Sequence, residues 1–331
     1  MDKIIIGIHG LGNKPPKDLL QKWWQQSIAE GLKYIGRPGR KFKFDLVYWA
    51  DSLHPVPLNP DETDEDSDLY LSERYVPADN GNMNRPNGIK EKFINFFQRQ
   101  RNKILFNKNM HVKFPSFTDL IIKHFFKDLD IYFTQKCVDE NKSDYLAKDI
   151  IRDRFTDVLK QHEREDILLI AHSMGTIVTY DALIQSENEI EIDSLITIGS
   201  PLGVPFIFDK LRNDLSAVPE DKEKLRTPEN IITGWENLAD TDDKVAQSAD
   251  LRKLFSPNSH NVSPTMILVD NDYQYEGIEN PHKSYGYLRT PEIAYIIDDF
   301  LYRGKNKFIV WITRKFDKIK YKLKSNVVKQ R

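Results

Sequence analysis

The sequence predicts an α/β fold with a mostly parallel central sheet, helices on both faces of the sheet and an inserted, mainly helical cap. Six short runs are mostly continuously apolar, which is typical of strands buried on both faces of a parallel sheet. Helix-like segments alternate with these runs, as they do when crossovers join successive parallel strands. One connection is far longer than an ordinary loop and predicts an inserted region.

The elements can be assigned in chain order. The predicted strands are residues 4–8, 42–49, 167–171, 195–198, 231–235 and 265–269. The predicted helices include residues 17–32, 145–162, 176–185 and 291–302. The last helix has the clearest start, because Thr290 is a favourable N-cap and proline is favoured at the first helical position.

The long connection divides the chain into three predicted regions. Residues 1–51 and 144–302 form the predicted core, residues 52–143 the inserted cap or lid, and residues 303–331 a basic amphipathic tail. The cap contains an acidic run that lacks the glycine and spacing of a calcium loop, and we interpret it as a solvated loop. Aromatic stripes at helical spacing near its end predict packing on the core, with walling of a substrate pocket as the alternative.

Composition and motifs exclude several classes of function. The 331 residues, 40% of them hydrophobic, suffice for the core of an enzyme. The start of the chain lacks the pattern of a signal peptide, and no apolar run reaches membrane-spanning length. Cys137 is the only cysteine, which excludes an internal disulfide and cysteine-based metal sites and fits a reducing cytoplasm. Zinc-protease, P-loop and dinucleotide motifs are missing, so we expect neither a metal nor a cofactor.

The most informative motif is Ala171-His172-Ser173-Met174-Gly175, between a predicted strand and a predicted helix. Acyl transfer by serine needs the hydroxyl lifted out of the backbone at a sharp strand-to-helix turn, with small flanking residues. Gly175 provides that space on one side, and Ala171 stands where the usual pattern has a glycine. We interpret Ser173 as a nucleophile and His172 as structural, with an inert strand-end serine as the alternative.

A serine nucleophile needs a carboxylate that orients its base. Three aspartates follow the fifth predicted strand. Asp243 is preferred because Val245 turns the chain back into the core two residues later. Asp240, nearest the strand end, is the alternative, and Asp242 is expected to face solvent.

The base is expected between the last strand and the final helix. His282 is the only histidine there, and it completes the chain order of serine, aspartate and histidine. His260 precedes the last strand and is the alternative. The other histidines are interpreted as surface or structural residues: His54, His111, His124 and His162.

Together these motifs resemble the α/β-hydrolase superfamily, and within it the lipase-like serine hydrolases, over most of residues 1–302 except the cap. The G-S-P-L-G segment at residues 199–203 and the acid loop are similar to those of DDHD-type phospholipase A1 and GPI-inositol deacylases. The resemblance implies an α/β-hydrolase fold with Ser173 as nucleophile, Asp243 as acid and His282 as base.

The loop after the first strand, His9-Gly10-Leu11-Gly12, resembles the H-G loop of α/β-hydrolases. The resemblance implies that the backbone N–H groups of Leu11 and Met174 form an oxyanion hole, with His9 and Gly10 as supporting residues. A plain glycine turn is the alternative.

The predicted function is a serine hydrolase that cleaves carboxylic esters, with lipid or phospholipid acyl esters as the expected substrates, through a Ser-His-Asp triad and an acyl-enzyme. Acyltransferase or thioesterase activity would use the same residues and stays open. The alternative from another class is a non-catalytic, hydrolase-like module that docks on a membrane or a protein.

The tail has a charge pattern of its own. From Arg303 it holds eleven Lys or Arg against one acid, Asp317, while the preceding residues carry about −12. Apolar residues recur in it at helical spacing, which predicts a basic amphipathic helix. Two alternatives stay open, binding to an anionic membrane surface and packing on the core. The acidic core argues against a nucleic-acid partner. We expect a cytoplasmic protein, peripheral at the inner membrane face if the tail binds lipid.

Overall fold

The computed structural model describes residues 2–78, 129–134, 136–138, 144–186, 190–214, 224–246 and 250–304. Its centre is a six-stranded sheet in which all neighbouring strands are parallel. The strands are β1 Lys3–Ile8, β2 Lys43–Val47, β3 Asp166–His172, β4 Ile192–Ile198, β5 Ile231–Asp240 and β6 Pro264–Val269. All six predicted strands are confirmed. The fifth is longer than predicted, because its pairing with β6 continues past the apolar run to Asp240.

Within the described ranges, six α-helices flank the sheet, and residues 129–134 form a further helical segment. The six are α1 Lys17–Tyr34, α2 Ala147–Gln161, α3 Met174–Gln185, α4 Pro205–Asp214, α5 Ser284–Leu288 and α6 Pro291–Tyr302. Helices α1, α5 and α6 pack on one face of the sheet, and α2, α3 and α4 pack on the other. Each face has its own apolar cluster. This is an α/β-hydrolase fold, as predicted.

The helices differ from the prediction in two respects. The helix predicted from residue 145 begins at Ala147, because residues 144–146 pair with residues 136–138 as a small antiparallel ribbon. Helices α4 and α5 are too short to be evident as periodic patterns. The predicted N-cap residue of α6 is confirmed, since Thr290 Oγ1 accepts a hydrogen bond of 3.4 Å from the N–H of Ile293.

The strand order, β6-β5-β4-β3-β1-β2, places the functional loops side by side. The chain leaves β1 for β2 on one side and returns to β3 on the other, so the loops after β1 and β3 diverge from neighbouring strands. Such a switch point, at the carboxyl ends of parallel strands, is where α/β sheets form their binding crevices. Ile8 pairs with Ala171, which brings residue 9 beside the nucleophile turn.

The described part of the predicted cap comprises residues 52–78, 129–134 and 136–138. Its acidic run, residues 61–68, is mostly exposed. Leu129 and Phe133 lie in a helical segment and are buried in the apolar cluster beside α2 and α3. The aromatic stripe at residues 89–107, most of that at 117–133 and the tail after Gly304 lie outside the described residues. The division into core, cap and tail stays a prediction.

None of the helices in the described ranges is both long and apolar enough to cross a membrane.

Candidate active site

Ser173 forms the turn between β3 and α3. Its backbone has φ of 53° and ψ of −126°, a conformation that is rare for residues other than glycine and is a known feature of strained functional turns. The N–H of Ser173 donates a hydrogen bond of 3.1 Å to the carbonyl of Ile198, which fixes the turn against β4. The serine hydroxyl is therefore presented at the carboxyl edge of the sheet.

The small residues around the turn have the steric role that the motif predicts. A Cβ atom on Gly175 would lie 2.6 Å from the carbonyl oxygen of His9 and 2.9 Å from that of Ile8. Helix α3 can approach β1 this closely only with glycine there. Ala171 is fully buried in β3, where its methyl group packs in the apolar cluster.

Ser173, His282 and Asp243 form one chain of hydrogen bonds. Ser173 Oγ lies 2.9 Å from His282 Nε2, and His282 Nδ1 lies 2.9 Å from Asp243 Oδ2. The other carboxylate oxygen, Asp243 Oδ1, accepts the N–H of Val245 at 2.9 Å. A nucleophile, a base and an orienting acid within these distances are the arrangement that activates a serine hydroxyl.

The neighbouring aspartates are engaged elsewhere. Asp240 Oδ2 accepts the N–H of Asn271 at 2.5 Å, and its Oδ1 accepts the N–H of Asp242 at 2.7 Å. Asp240 thus ties the acid loop to the chain after β6, while the side chain of Asp242 is exposed. Of the three aspartates, the structure brings Asp243 to His282.

Gly199, the first residue of the G-S-P-L-G segment, makes room for the acid and the base. Its φ is 57°, and a Cβ atom on it would lie 3.1 Å from both Asp243 Oδ2 and His282 Nδ1. Any side chain would press on the bond between these two residues and would also strain the backbone.

Three side chains hold the backbone around His282. Asn280 Oδ1 accepts the N–H of His282 at 3.1 Å, and His172 Nε2 donates to the carbonyl of His282 at 2.8 Å. Asn271 Nδ2 donates to the carbonyls on either side of this residue, those of Pro281 at 2.8 Å and Lys283 at 2.9 Å. These contacts restrict the imidazole to the position between Ser173 and Asp243.

His172 makes its contact as a neutral imidazole. Burial, and secondarily the nearby His282, hold the pKa of His172 well below its usual value of 6.5. Because a carbonyl oxygen can only accept, Nε2 carries the proton and donates it. The structural role predicted for His172 thus corresponds to a specific contact with the loop of the base.

The loop after β1 is shaped by His9. His9 Nδ1 lies 2.7 Å from the carbonyl oxygen of Gly10, and its Nε2 accepts the N–H of Trp49 at 3.1 Å. Burial holds the pKa of His9 well below its usual value, so the ring stays neutral. A trans peptide has its C=O and N–H on opposite sides, so holding the Gly10 carbonyl also fixes the direction of the Leu11 N–H.

Met174 is the first residue of α3, where backbone N–H groups have no carbonyl one turn earlier in the helix. Met174 directly follows Ser173, and Leu11 lines the same cavity as Ser173. The assignment of their N–H groups as the oxyanion hole stays a prediction. Lys14 also stabilises the loop after β1, because its Nζ donates to the carbonyls of Leu11, Gly12 and Asn13.

Ser173 and His282 line a cavity of about 220 Å³. Its wall combines apolar side chains, among them Leu11, Leu58 and Leu71, with polar and charged side chains that include Lys14, Glu73 and Lys283. Such a mixed wall suits a substrate with an apolar part and a polar part. Among the described residues, no three His, Cys, Asp or Glu side chains are grouped to hold a metal ion.

The remaining histidines, where they are described, are not part of the chain of hydrogen bonds from Ser173 to Asp243. His260 is exposed, and His162 contacts Glu165 at 3.0 Å on the outside of the domain. His54 is half-buried, and His111 and His124 lie outside the described residues.

Sequence reasoning missed the side chains that support the acid and the base. Tyr287 donates to Asp243, and Asn271 and Asn280 hold the base loop. The only available signal was local: Asn280 lies two residues before His282, a spacing at which an asparagine side chain commonly accepts a backbone N–H.

Comparison with known families agrees with the fold. Residues 140–237 match a family model described as a PGAP1-like alpha/beta domain. This segment contains Ser173 but ends before Asp243 and His282. No curated protein matches the sequence significantly. The match confirms the resemblance to lipase-like α/β-hydrolases and GPI-inositol deacylases, and it supports a hydrolase of the α/β type.

Proposed function

We propose that this protein is a serine hydrolase that cleaves carboxylic esters through an acyl-enzyme. The observation that carries the proposal is the chain from Ser173 Oγ through the His282 imidazole to the Asp243 carboxylate, with both hydrogen bonds at 2.9 Å. The strained turn at Ser173 supports it, because an inert serine gives no reason for such a conformation to persist.

In the proposed reaction, His282 removes the proton of Ser173 as Oγ attacks the ester carbonyl. Asp243 holds the imidazole with its proton on Nδ1, so that Nε2 is free to accept, and stabilises the imidazolium that forms. The N–H groups of Leu11 and Met174 receive the negative charge of the tetrahedral oxygen.

Collapse of this intermediate breaks the bond to the alcohol. The imidazolium of His282 gives its proton to the leaving alkoxide, and Ser173 retains the acyl group. His282 then removes a proton from water, which attacks the acyl-enzyme and releases the carboxylic acid. The free serine is restored when His282 returns its proton to Oγ.

We infer that the natural substrates are lipid acyl esters, phospholipids included. The apolar side chains of the cavity wall, among them Leu11, Leu58 and Leu71, support this choice, because they offer an acyl chain contact in the cavity that Ser173 lines. The family match to a PGAP1-like domain supports it independently.

We further propose that residues 303–331 bind an anionic membrane surface, which would make the protein peripheral at the inner face of the membrane in the cytoplasm. The support is the excess of about ten positive charges on an amphipathic pattern, since basic amphipathic helices bury their apolar face at lipid headgroups.

The test of the proposed activity is turnover of ester substrates of increasing acyl length, together with a diacyl phospholipid, by the wild-type protein and Ser173→Ala. We expect turnover by the wild type and loss of more than about 10³-fold in Ser173→Ala. Ser186→Ala, at the opposite end of α3, is the matched control and should retain activity. Equal turnover by Ser173→Ala would contradict the proposal, and a folded wild type with no turnover of any ester would favour a docking module.

A further inference from the structure

We propose that Tyr287 is a positioning residue for the acid of the site and that its hydroxyl group controls how strongly Asp243 attracts the proton of His282. This inference rests on the proposed function, because it assigns a role in the activation of Ser173. It concerns a side chain with no place in the motifs from which the site was predicted.

The contact is direct and buried. Tyr287 is fully buried in the short helix α5, and its hydroxyl oxygen lies 2.8 Å from Asp243 Oδ2. The same carboxylate oxygen lies 2.9 Å from His282 Nδ1. Tyrosine and base therefore compete for the charge on a single oxygen atom.

The direction of the hydrogen bond follows from the second partner of the hydroxyl. The N–H of Asp240 donates to Tyr287 Oη at 2.9 Å, so the hydroxyl accepts there and directs its own proton to Asp243. Burial, followed by the charges of Asp243 and Asp240, raises the pKa of Tyr287 well above its usual value. The hydroxyl thus remains a donor throughout the range in which the site works.

The consequence for the base is electrostatic. A carboxylate oxygen that already accepts a strong hydrogen bond has less charge available for a second donor. Tyr287 thereby weakens the stabilisation of the His282 imidazolium by Asp243. Without the hydroxyl, Oδ2 would hold the imidazolium more tightly.

Other titratable and charged groups lie near Asp243 and His282, and the test must leave them unchanged. His172 faces His282 with ring centroids 5.0 Å apart and is neutral because it is buried. The positive charges of Lys14 and Lys283, in the loops after β1 and β6, also lower the pKa of His172. Asp240 is near the tyrosine, and its N–H is the fixed donor to Oη. A substitution that leaves these groups in place isolates the tyrosine hydroxyl.

Tyr287→Phe is that substitution, since it removes one oxygen atom and retains the ring. Tyr180→Phe is the matched control, because Tyr180 is equally buried and its hydroxyl donates to the carbonyl of Arg226 at 3.0 Å, away from the triad candidates. We would measure the pH dependence of kcat/KM for an ester and, without substrate, the NMR titration of the His282 imidazole in labelled protein.

For Tyr287→Phe we expect the acidic limb of kcat/KM and the His282 titration to move upward together by about 0.5 to 1 pH unit. Tyr180→Phe should leave both midpoints where they are in the wild type. A purely structural role for Tyr287 would lower activity at every pH without moving either midpoint, and that result would overturn the inference.

Two further measurements keep the test decisive. If Tyr287→Phe does not fold, 3-fluorotyrosine can be placed at position 287, where it retains the ring and the hydroxyl but is a stronger hydrogen-bond donor. The two pH midpoints should then move downward. Unmoved midpoints would overturn the inference. If the wild type shows no turnover, the proposed function fails. The NMR titration of His282 still decides whether Tyr287 acts on the pair.

Discussion

His172 Nε2 donates a hydrogen bond of 2.8 Å to the carbonyl oxygen of His282. The residue before the nucleophile thus holds the backbone of the residue that would activate it. The two loops that meet here follow β3 and β6, which are three strands apart in the sheet order.

We expect His172→Phe to lower kcat/KM for an ester by about tenfold, because it leaves a buried carbonyl without its donor and loosens His282. His172→Gln, whose amide can donate to the same carbonyl, should recover part of the loss. Steady-state kinetics of both variants checks this. Equal activity of His172→Phe and the wild type would show that the contact does not position the base.

The two candidate acids should separate by phenotype. Asp243→Asn removes the acceptor of the His282 proton and should lower kcat by about 10³- to 10⁴-fold with little change in Tm. Asp240→Asn removes the charge that binds two backbone N–H groups and should instead lower Tm, with a smaller effect on kcat. Kinetics and thermal unfolding of the same samples test this, and the reverse pattern would make Asp240 the acid.

Gly199→Ala should lower kcat/KM by at least about 10²-fold, because the new methyl group would lie 3.1 Å from the atoms of both Asp243 and His282. Gly36→Ala is the matched control: its φ is also positive, at 79°, but nothing lies within 4 Å of the added atom. It should cost about 1 kcal/mol of stability and leave kcat/KM unchanged. Similar losses of activity in both variants would mean that strain, and not contact with the triad candidates, is responsible.

The sequence predicts the six strands because a sheet buried on both faces needs continuously apolar runs. It also predicts which residue types meet at the carboxyl edge, and the structure brings Ser173, Asp243 and His282 together there. Chain order alone left Asp240 open, since both aspartates follow β5. The distinction depends on tertiary contacts of Asn271 and Tyr287, and neither residue belongs to a pattern in the sequence.

Glu236 predicts a dependence of stability on pH. Burial raises the pKa of this carboxyl from 4.5 to about 6. The folded protein thus binds the proton more tightly than the unfolded chain. The protonated carboxyl therefore contributes stability that is fully present below about pH 4.5 and is lost as the pH rises through 6.

Glu236→Gln should therefore raise the free energy of unfolding at pH 7.5 by about 1 kcal/mol and leave it nearly unchanged at about pH 4.5. The exposed Glu163→Gln is the control and should have no effect at either pH. Urea unfolding at both pH values measures the difference, and a variant less stable than the wild type at pH 7.5 would contradict the assignment.

The tail proposal is tested by vesicle binding. Truncation after Arg303 removes ten of the eleven basic residues of the tail and should reduce co-sedimentation with anionic vesicles severalfold at low salt, because each basic side chain near such a surface contributes about 1 kcal/mol. Binding to neutral vesicles should change little. Equal binding of both proteins to anionic vesicles would remove the membrane role of the tail.

The most direct test of the central claim is labelling by a fluorophosphonate, which reacts covalently with an activated serine, followed by intact mass measurement. We predict one adduct on the wild-type protein, none on Ser173→Ala and greatly slowed labelling of His282→Ala. A folded wild type that acquires no adduct, or a Ser173→Ala variant labelled as fast as the wild type, would contradict the claim that Ser173 is an activated nucleophile.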